Sequence, residues 1–460
     1  MKTIKNDIKY DVLLMNALKL IELLLFSLLF INMWKQCYSA YLYVPYGIYS
    51  NTALFLLYCV VAYVLLRLYQ AFDIGGSLRG TLFLGQCISL AVINGIFFVI
   101  SLFVVRRNIQ VMPFLGLFVC QIAVSLIWTV VVHKLYFAIT KPLNACIVCK
   151  RKDEINKFTS TRLFDKRFKI TRICLDPENY DAVRKDLENV SVVFITGVDS
   201  LVRNGILKMC IEKNIPCYVD PKIGDTLMGC SKPIYMFSVP VIYVARANLS
   251  PEYRIMKRVL DIVISLFTLL LVSPLMIIVA LCIKLYDKGP VFYMQERLTK
   301  DGKVFNIIKF RSMIITAEKD GVARLASEND ERITPIGKFI RACRIDELPQ
   351  FINILKGEMS VVGPRPERPE IAEEYNKTNS SFDLRLQTKA GLTGYAQIYG
   401  RYNIDPLDKL KYDLIYVSNA TTVEDIKIIL ATVKTLFQKE ATQGVEANQI
   451  TALFEEEKER

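Results

Sequence analysis

Four long apolar stretches occupy the first third of the sequence and constrain the fold more than any other feature. They lie at about 12–34, 47–67, 84–105 and 112–132, and each is close to the ~20 residues that a membrane-spanning helix needs. We therefore predict four transmembrane helices in residues 1–142. Lysines are denser before the first stretch than in the loop after it, which favours a cytoplasmic N-terminus. Lys19 and Glu22 interrupt the first stretch three residues apart, and we expect them to pair or to reach the headgroups.

Composition agrees with a membrane protein and excludes several functional classes. Of the 460 residues 52% are hydrophobic, and the net charge is +13. A basic membrane protein is expected to bind anionic headgroups or phosphates. No zinc-finger or RNP-like pattern supports nucleic-acid binding. The twelve cysteines are scattered, so we predict no disulfide framework. Cys146 and Cys149 form a C-x-x-C that we interpret as buried strand cysteines. The single histidine, His133, leaves little room for a histidine-based metal site.

Residues 143–245 have the pattern of a small α/β domain. The strand-like runs ACIVC, ITRICL, VSVVFITG and IPCYVD alternate with helix-like segments such as 198–213, which predicts a parallel, Rossmann-like sheet. Glycines are missing after the first strand, so we predict no dinucleotide site there. We expect this domain to scaffold or dimerise the chain.

A fifth apolar stretch, residues 259–283, is long enough to span a membrane. Ser273 and Pro274 interrupt it, because proline removes a hydrogen-bond donor and disfavours helix at the residue before it. Basic residues lie on both sides of the stretch, and basic flanks favour the cytoplasm. The residues alone leave two alternatives open, a kinked spanning helix and a helix that enters and returns on one side.

After this stretch the sequence predicts a further α/β domain. Two strand-like runs flank the turn KDGK, which is typical of a hairpin. Thr334 and Pro335 fit the N-cap and first position of a helix. Two amphipathic helices are expected within 406–437, and the acidic tail 441–460 is expected to be disordered.

Asp346 and Glu347 stand side by side in the segment RIDELPQF. Asp346 fits the N-cap of a helix that runs through QFINILK and ends at Gly357. A carboxylate at a helix start also suits phosphate chemistry, so capping and catalysis are both open. Glu347 could hold Mg²⁺, which bridges phosphate oxygens. Five cations of the same domain could cradle a diphosphate, two of them on one face of a predicted strand: Lys309, Arg311, Arg341, Arg365 and Arg401.

Several segments, in this order, resemble the catalytic domain of the bacterial sugar transferases, the monotopic polyprenyl-phosphate phosphoglycosyl transferases. They are KRVLD, VSP, GPVFYMQER, KFRSM, RIDELPQFINILKGEMSVVGPRPE, AGLTGYAQIYGR and KYDLIYVSN. The four N-terminal stretches and the middle domain resemble the long, hexose-1-phosphate-transferring (undecaprenyl-phosphate glucose or galactose phosphotransferase) subgroup. This chain departs from the family pattern at Arg344-Ile345, where Ser-Leu is usual, and at Thr299, where glycine is frequent. It also departs at Ala390, where proline is usual, and at Tyr395, where tryptophan or a similar residue is common.

The resemblance implies a catalytic domain at 246–440 with a re-entrant helix hairpin at 257–284, broken at Ser273 and Pro274. It implies that Asp346 attacks the sugar-bearing phosphate of a UDP-sugar, releases UMP and passes the phosphosugar to polyprenyl phosphate. Glu347, together with Asp346, is then expected to bind Mg²⁺, and the five cations to contact phosphate or nucleotide.

The implied setting is the cytoplasmic face of the bacterial inner membrane. The chain is expected to be a multi-pass protein in contact with membrane lipids, and to form a homodimer. Its expected role there is to start the assembly of capsule, exopolysaccharide or O-antigen. Two alternatives stay open: a membrane phosphohydrolase of nucleotide sugars, and a non-catalytic protein of polysaccharide assembly.

Overall fold

The computed structural model describes most of the chain, in two compact units, Met1–Asp220 and Pro221–Arg460. The described residues are 2–41, 47–105, 109–159, 162–231, 233–236, 239–242, 244–246, 249–315, 317, 330, 332–378, 381–400 and 405–435. Arg401 and the tail 441–460 lie outside them. The predicted three-part division at 142 and 245 stays a prediction.

Four helices form the N-terminal part of the first unit: α1 (Lys2–Cys37), α2 (Gly47–Leu68), α3 (Arg79–Val104) and α4 (Met112–Ile139). A short 3₁₀ turn at Ser39–Tyr41 follows α1. Each helix contains a segment long and apolar enough to cross a membrane. Their outward faces carry exposed leucine, valine and phenylalanine side chains, as lipid-facing helices require.

The interior of this helix bundle contains polar side chains. Gln86 on α3 donates to the carboxylate of Glu22 on α1, and its own carbonyl accepts from Ser125 and Thr129 on α4. One helical turn before Ser125 on α4, Gln121 donates to the hydroxyl of Tyr58 on α2 at 2.8 Å and accepts from Asn94 on α3 at 2.7 Å. Hydrogen bonds therefore link all four helices at their centre.

Our prediction for Glu22 was wrong. Glu22 is only 1% exposed and faces the bundle, where its partner is Gln86 and not Lys19. Spacing of three residues permits a pair on one helix, but it does not reveal that a glutamine on another helix lies within reach.

An all-parallel sheet follows in the first unit, as the alternating pattern predicted. Its strands are β1 (Leu143–Val148), β2 (Phe168–Cys174), β3 (Val192–Ile195) and β4 (Cys217–Val219), in the spatial order β2-β1-β3-β4. The helices between them are α5 (Asn156–Thr159), α6 (Arg162–Arg167), α7 (Tyr180–Asp186) and α8 (Ser200–Glu212), with a 3₁₀ turn at Lys152–Ile155.

The C-x-x-C cysteines belong to the core of this sheet. Cys146 and Cys149 are both 0% exposed, and burial raises the pKa of the Cys146 thiol to about 12. Both thiols are therefore protonated and poorly placed as metal ligands or nucleophiles. At the carboxyl edge of the sheet the Glu154 carboxylate lies against Gly197, whose φ of +61° suits only glycine without strain.

The second unit is a mixed assembly of short strands and helices. It begins with α9 (Ile223–Gly229), β5 (Pro233–Met236) and β6 (Val239–Ile242), and continues with α10 (Pro251–Asp287), β7 (Phe292–Leu298) and β8 (Val304–Phe310). It then has α11 (Pro335–Ala342), α12 (Gln350–Lys356), β9 (Ser360–Val362) and α13 (Pro369–Thr378), followed by β10 (Gly391–Thr393), α14 (Tyr395–Tyr399), α15 (Pro406–Asn419) and α16 (Thr422–Thr435). Short 3₁₀ turns lie at Lys300–Gly302, Ile345–Glu347 and Phe382–Gln387.

The predicted hairpin and its turn are confirmed. β7 and β8 pair antiparallel from Phe292 opposite Phe310 to Leu298 opposite Val304. Asp301 and Gly302 in the connecting turn have φ of 59° and 73°, the left-handed conformation that tight hairpin turns require.

α10 is the fifth helix long and apolar enough to cross a membrane. It is helical throughout, with Pro274 inside it, and the Ser273 hydroxyl donates to the carbonyl of Leu270 at 2.9 Å. Its two halves pack on neighbouring apolar clusters. The first includes Phe305 of β8, and the second includes Phe310 of the same strand. The middle of the helix is exposed at Leu266, Phe267, Leu270, Leu271, Ile277 and Ile278.

Candidate active site

The adjacent carboxylates lie on a tight reversal between two helices. Thr334 caps α11 by accepting from the amide of Gly337 at 2.9 Å, as predicted. After α11 the backbone of Arg344 turns left-handed, with φ of 55°, and a single 3₁₀ turn follows at Ile345–Glu347. This reversal places Asp346 and Glu347 before the start of α12.

The prediction that Asp346 caps the next helix was wrong. α12 begins at Gln350, its N-cap position is Pro349, and no side chain caps it. The 3₁₀ turn at 345–347 occupies the place of the predicted first helical turn, so α12 starts four residues after Asp346. The predicted end is confirmed, since Gly357 has φ of 86° and its amide donates to Asn353. Asp346 is therefore not needed to build α12.

Three cations surround the Glu347 carboxylate, which is 13% exposed. Arg365 donates to its Oε1 at 2.9 Å, and the Lys309 Nζ lies 3.5 Å from the same oxygen. The Arg344 guanidinium lies 3.8 Å from Oε2. Burial favours the neutral acid, but Arg365 and Lys309 overcome it and hold the pKa of Glu347 well below its ordinary range. Glu347 is therefore an anion fixed within a ring of positive charge.

Asp346 has the opposite electrostatic setting. Burial raises its pKa, and the neighbouring charge of Glu347 raises it further, against the attraction of Lys309, Arg341 and Arg344. Within the described part of the chain, no hydrogen bond or ion pair occupies its carboxylate oxygens. A carboxylate that is desolvated and unbonded is more basic, and so more nucleophilic, than one that is capped or paired.

The structure brings most of the predicted cations to this pair, but not all of them. Lys309 and Arg365 contact Glu347 directly, and Arg341 is near enough to stabilise the charge of Asp346. Arg311 is elsewhere: it is 8% exposed and pairs with Asp287 at the end of α10. β8 ends at Phe310, so the strand alternation that placed Arg311 beside Lys309 no longer applies.

Sequence reasoning missed Arg344 as a member of this cluster. It lies three residues before Glu347, a spacing that brings side chains together on one turn, and this was the available signal. Arg401, the last predicted cation, lies outside the described residues.

The KRVLD motif fastens α10 to α12 and β9, the two elements that follow the carboxylates in the chain. Arg258 donates to two carbonyls in the last turn of α12, at 2.7 and 2.6 Å. Asp261 accepts from a hydroxyl and an amide of β9, both at 2.9 Å. Lys257 donates to the carbonyl of Val362 at 3.0 Å. The apolar helix is therefore tied to the two elements that come directly after the carboxylate pair.

Two departures from the family pattern are in contact with each other. The amide of Ala390 donates to the hydroxyl of Thr299 at 3.1 Å, and that hydroxyl donates to the carbonyl of Glu358 at 3.0 Å. A proline at position 390 would have no amide to offer. The hydroxyl of Thr299 thus accepts from the backbone amide of residue 390, which is present because residue 390 is alanine and not proline.

The carboxylate pair fits Mg²⁺ only in one mode. No group of three or more His, Cys, Asp or Glu residues suited to a metal occurs among the described residues. Mg²⁺ commonly takes one or two carboxylates and completes its shell with water and substrate phosphates. Asp346 and Glu347 are compatible with that arrangement, in which water and substrate oxygens would complete the shell.

Comparison with known proteins assigns this region to a family. Residues 252–439 match the family described as bacterial sugar transferase. This part of the chain is therefore similar to the bacterial sugar transferase family. The matched residues begin in the first turn of α10 and include every residue of the site described above.

Curated relatives share this domain. A UDP-N-acetylgalactosamine-undecaprenyl-phosphate N-acetylgalactosaminephosphotransferase of Aeromonas hydrophila is 36% identical over 262 residues, 56% of this chain and 59% of the relative. A UDP-glucose:undecaprenyl-phosphate glucose-1-phosphate transferase of Escherichia coli K12 is 43% identical over 203 residues, 43% of this chain and 44% of the relative. A galactosyl transferase of Streptococcus agalactiae is 44% identical over 260 residues, 54% and 52% of the two chains. The chain spans about half the length of the curated relatives it matches.

Proposed function

We propose that this chain transfers a sugar 1-phosphate from a UDP-sugar to polyprenyl phosphate, and so begins assembly of a bacterial polysaccharide. The observation that carries the proposal is the electrostatic contrast within one carboxylate pair. Asp346 is unbonded and basic, and Glu347 is held ionised by Lys309, Arg344 and Arg365. The names of the relatives supply the donor and acceptor classes.

The proposed reaction has two displacements at one phosphorus atom. A carboxylate oxygen of Asp346 forms a bond to the sugar-bearing phosphorus, and the bond from that phosphorus to the bridging oxygen breaks. UMP leaves with the electron pair. An oxygen of polyprenyl phosphate then attacks the same phosphorus, the bond to Asp346 breaks, and the carboxylate is restored. The product is a polyprenyl diphosphate sugar.

The cations of the cluster act on the charge that moves during these steps. Lys309 and Arg365 lie within 3.5 Å of the Glu347 carboxylate, so the space beside Asp346 is positive despite two acidic residues. A diphosphate entering this space is attracted, and charge on the leaving UMP is stabilised. Asp346 and Glu347 would hold Mg²⁺ together with substrate phosphates, and the ion when bound neutralises phosphate oxygens.

We propose that α10 enters the membrane and returns to the same side. A straight helix of its 37 residues would be about 55 Å long. Yet its first half packs on the cluster that contains Phe305 and its second half on the cluster that contains Phe310, five positions along one strand. Between these halves, on both sides of Ser273 and Pro274, the helix exposes Leu270, Leu271 and Ile277. A bend there brings the apolar tip into lipid and keeps both ends on the bacterial sugar transferase domain.

With this topology, we propose that the site lies at the cytoplasmic face of the inner membrane, where nucleotide sugars and polyprenyl phosphate meet. We also propose a multi-pass N-terminal region and a homodimer, with contacts to membrane lipids along the exposed apolar helices.

Transfer of label from donor to lipid tests the function. Purified protein is incubated with Mg²⁺, polyprenyl phosphate and UDP-glucose, UDP-galactose or UDP-N-acetylgalactosamine, each labelled in the sugar-bearing phosphate. We expect label in the lipid extract with at least one donor. Asp346→Asn should abolish it, because an amide does not form the acyl phosphate. Asp383→Asn, an exposed aspartate on another 3₁₀ turn, is the matched control and should transfer normally.

Brief incubation without acceptor should leave hydroxylamine-sensitive label on the wild-type protein and none on Asp346→Asn. Free sugar phosphate without lipid-borne label would instead indicate a hydrolase. Full transfer by Asp346→Asn would refute the assignment of the nucleophile.

A further inference from the structure

The segment that carries Arg365 is held from its buried side by two arginines. Arg385 donates through Nη2 to the carbonyl of Arg365 at 2.7 Å. Arg297 donates to the next carbonyl, that of Pro366, at 3.1 Å. Two successive carbonyls of a loop are therefore fixed by guanidinium groups, while the Arg365 side chain, 34% exposed, reaches Glu347 on the other side. The carbonyls on either side, those of Pro364 and Glu367, accept from the backbone amides of Gly391 and Leu298, so the two arginines hold the stretch between these backbone contacts.

Arg385 itself is locked in place by buried acids. Its side chain is 2% exposed, and Asp413 on α15, also 2% exposed, accepts from its Nε at 2.8 Å and lies 2.7 Å from its Nη2. Its Nη1 lies 3.6 Å from the carboxylate of Glu367, which also pairs with Lys409. The guanidinium of Arg385 thus donates to Asp413 and to the loop carbonyl, and it also pairs with Glu367.

The charges of this group balance within the protein. Arg385 and Lys409 oppose Asp413 and Glu367, and although burial alone would raise the pKa of Glu367, the two cations lower it to about 2. Four buried ionised groups with satisfied partners form a rigid unit, since losing any one leaves its partner uncompensated. Arg385 and Asp413 are buried, so they are not available to bind substrate. Such a rigid unit can instead hold another side chain in a precise position.

We propose that Arg385 is a positioning residue for phosphosugar transfer: through the carbonyl of Arg365 it sets where the Arg365 guanidinium meets Glu347 and the anionic substrate. Arg385 contacts no substrate and acts only through the loop. The inference rests on the proposed function for its effect on rate, but its structural content, the coupling of Arg385 to Arg365, does not need turnover.

A double-mutant cycle tests the inference. Arg385→Lys keeps the positive charge but replaces the guanidinium by one ammonium group. That group can bond to Asp413 or to the loop carbonyl, but not to both. We expect kcat/KM for the UDP-sugar to fall about 100-fold, the loss that a displacement of about 1 Å in a positioned group can cause. In an Arg365→Ala background the same change should have no further effect, because the residue it positions is gone. The exposed Arg246→Lys is the matched control and should leave kcat/KM unchanged.

Three results would overturn the inference. Arg385→Lys could equal wild type in kcat/KM, or its loss could persist in full in the Arg365→Ala background, or the thermal unfolding losses of the two single variants could add. If Arg385→Lys does not fold, Asp413→Asn replaces it; the amide keeps an acceptor for Arg385, and we expect about a tenfold loss with the same dependence on Arg365.

Thermal unfolding separates this inference from the proposed function. If wild type transfers no sugar phosphate to lipid or water, the proposed function fails. The coupling between Arg385 and Arg365 in the unfolding temperatures of the four proteins then still decides the positioning role.

Discussion

Removing the charge of Glu347 and removing that of Asp346 should change stability in different ways, although the residues are neighbours. In Glu347→Gln, Lys309, Arg344 and Arg365 lose their shared counter-ion. Leaving a buried charge unpaired costs about 3–5 kcal/mol. Because the Arg365 side chain is 34% exposed and water screens part of its charge, we reduce this cost to about 2–3 kcal/mol. For a unit of this size that is a fall in Tm of roughly 4–12 °C.

Asp346→Asn should leave the unfolding temperature unchanged or raise it. The pKa of Asp346 is raised by burial and by Glu347, so its ionised form weakens the folded state above its ordinary pKa. An amide removes that cost. Asp346 also caps no helix, so the loss of about 1 kcal/mol that a lost cap brings does not apply.

Thermal unfolding of both variants in one detergent, at one scan rate, checks these expectations, and both should fail in transfer. The pKa of Glu347 is lowered in the folded state, so its stabilisation is present above its ordinary pKa of 4.5 and is lost as pH falls below that value. The gap in Tm between wild type and Glu347→Gln should therefore be full at neutral pH and narrow in acid. Equal Tm values at pH 7, or a fall of several degrees in Asp346→Asn, would refute this account of the site.

Three further predictions follow from other parts of the molecule. Labels placed on either side of α10 should both react from the cytoplasm, and replacing Pro274 with leucine should favour a crossing helix, with one label moving to the far side. Gly391→Ala should destabilise the second unit by about 1–3 kcal/mol or more, since its Cβ would lie 2.0 Å from the backbone nitrogen of Gly363; urea unfolding measures the loss. Serine at Cys146 and Cys149 should leave transfer intact in the labelled-donor assay, because both thiols are buried and protonated in the core of the parallel sheet.

Much of the fold could be read from local patterns. The β7–β8 hairpin, the cap at Thr334 and the stop at Gly357 each depend on a few adjacent residues whose backbone preferences agree. The parallel sheet was predictable for the same reason, because apolar runs alternate with helical segments. Local rules are sufficient where the deciding interactions are themselves local.

The site was harder to predict, because its geometry depends on contacts between distant segments. Lys309 and Arg365 lie beside Glu347 as predicted, but they are 56 positions apart in the sequence, and only the family resemblance indicates that contact. Arg311 was misplaced by extending a strand one residue too far, and Asp346 by assuming that a favourable N-cap residue is used as one. The buried support of Arg365 by Arg385 and Asp413 joins three elements and has no sequence pattern.

The polar contacts inside the N-terminal helix bundle bear on the order in which the protein is made. Glu22 emerges from the ribosome 64 residues before its partner Gln86. At roughly 5–20 residues per second the delay is about 3–13 s, during which α1 carries an acidic side chain that lipid does not solvate. We therefore expect α1 to wait at the insertion machinery, in contact with water or protein, until α3 arrives. A chain halted between α2 and α3 should expose Glu22 to aqueous carboxyl-modifying reagents that the completed bundle excludes.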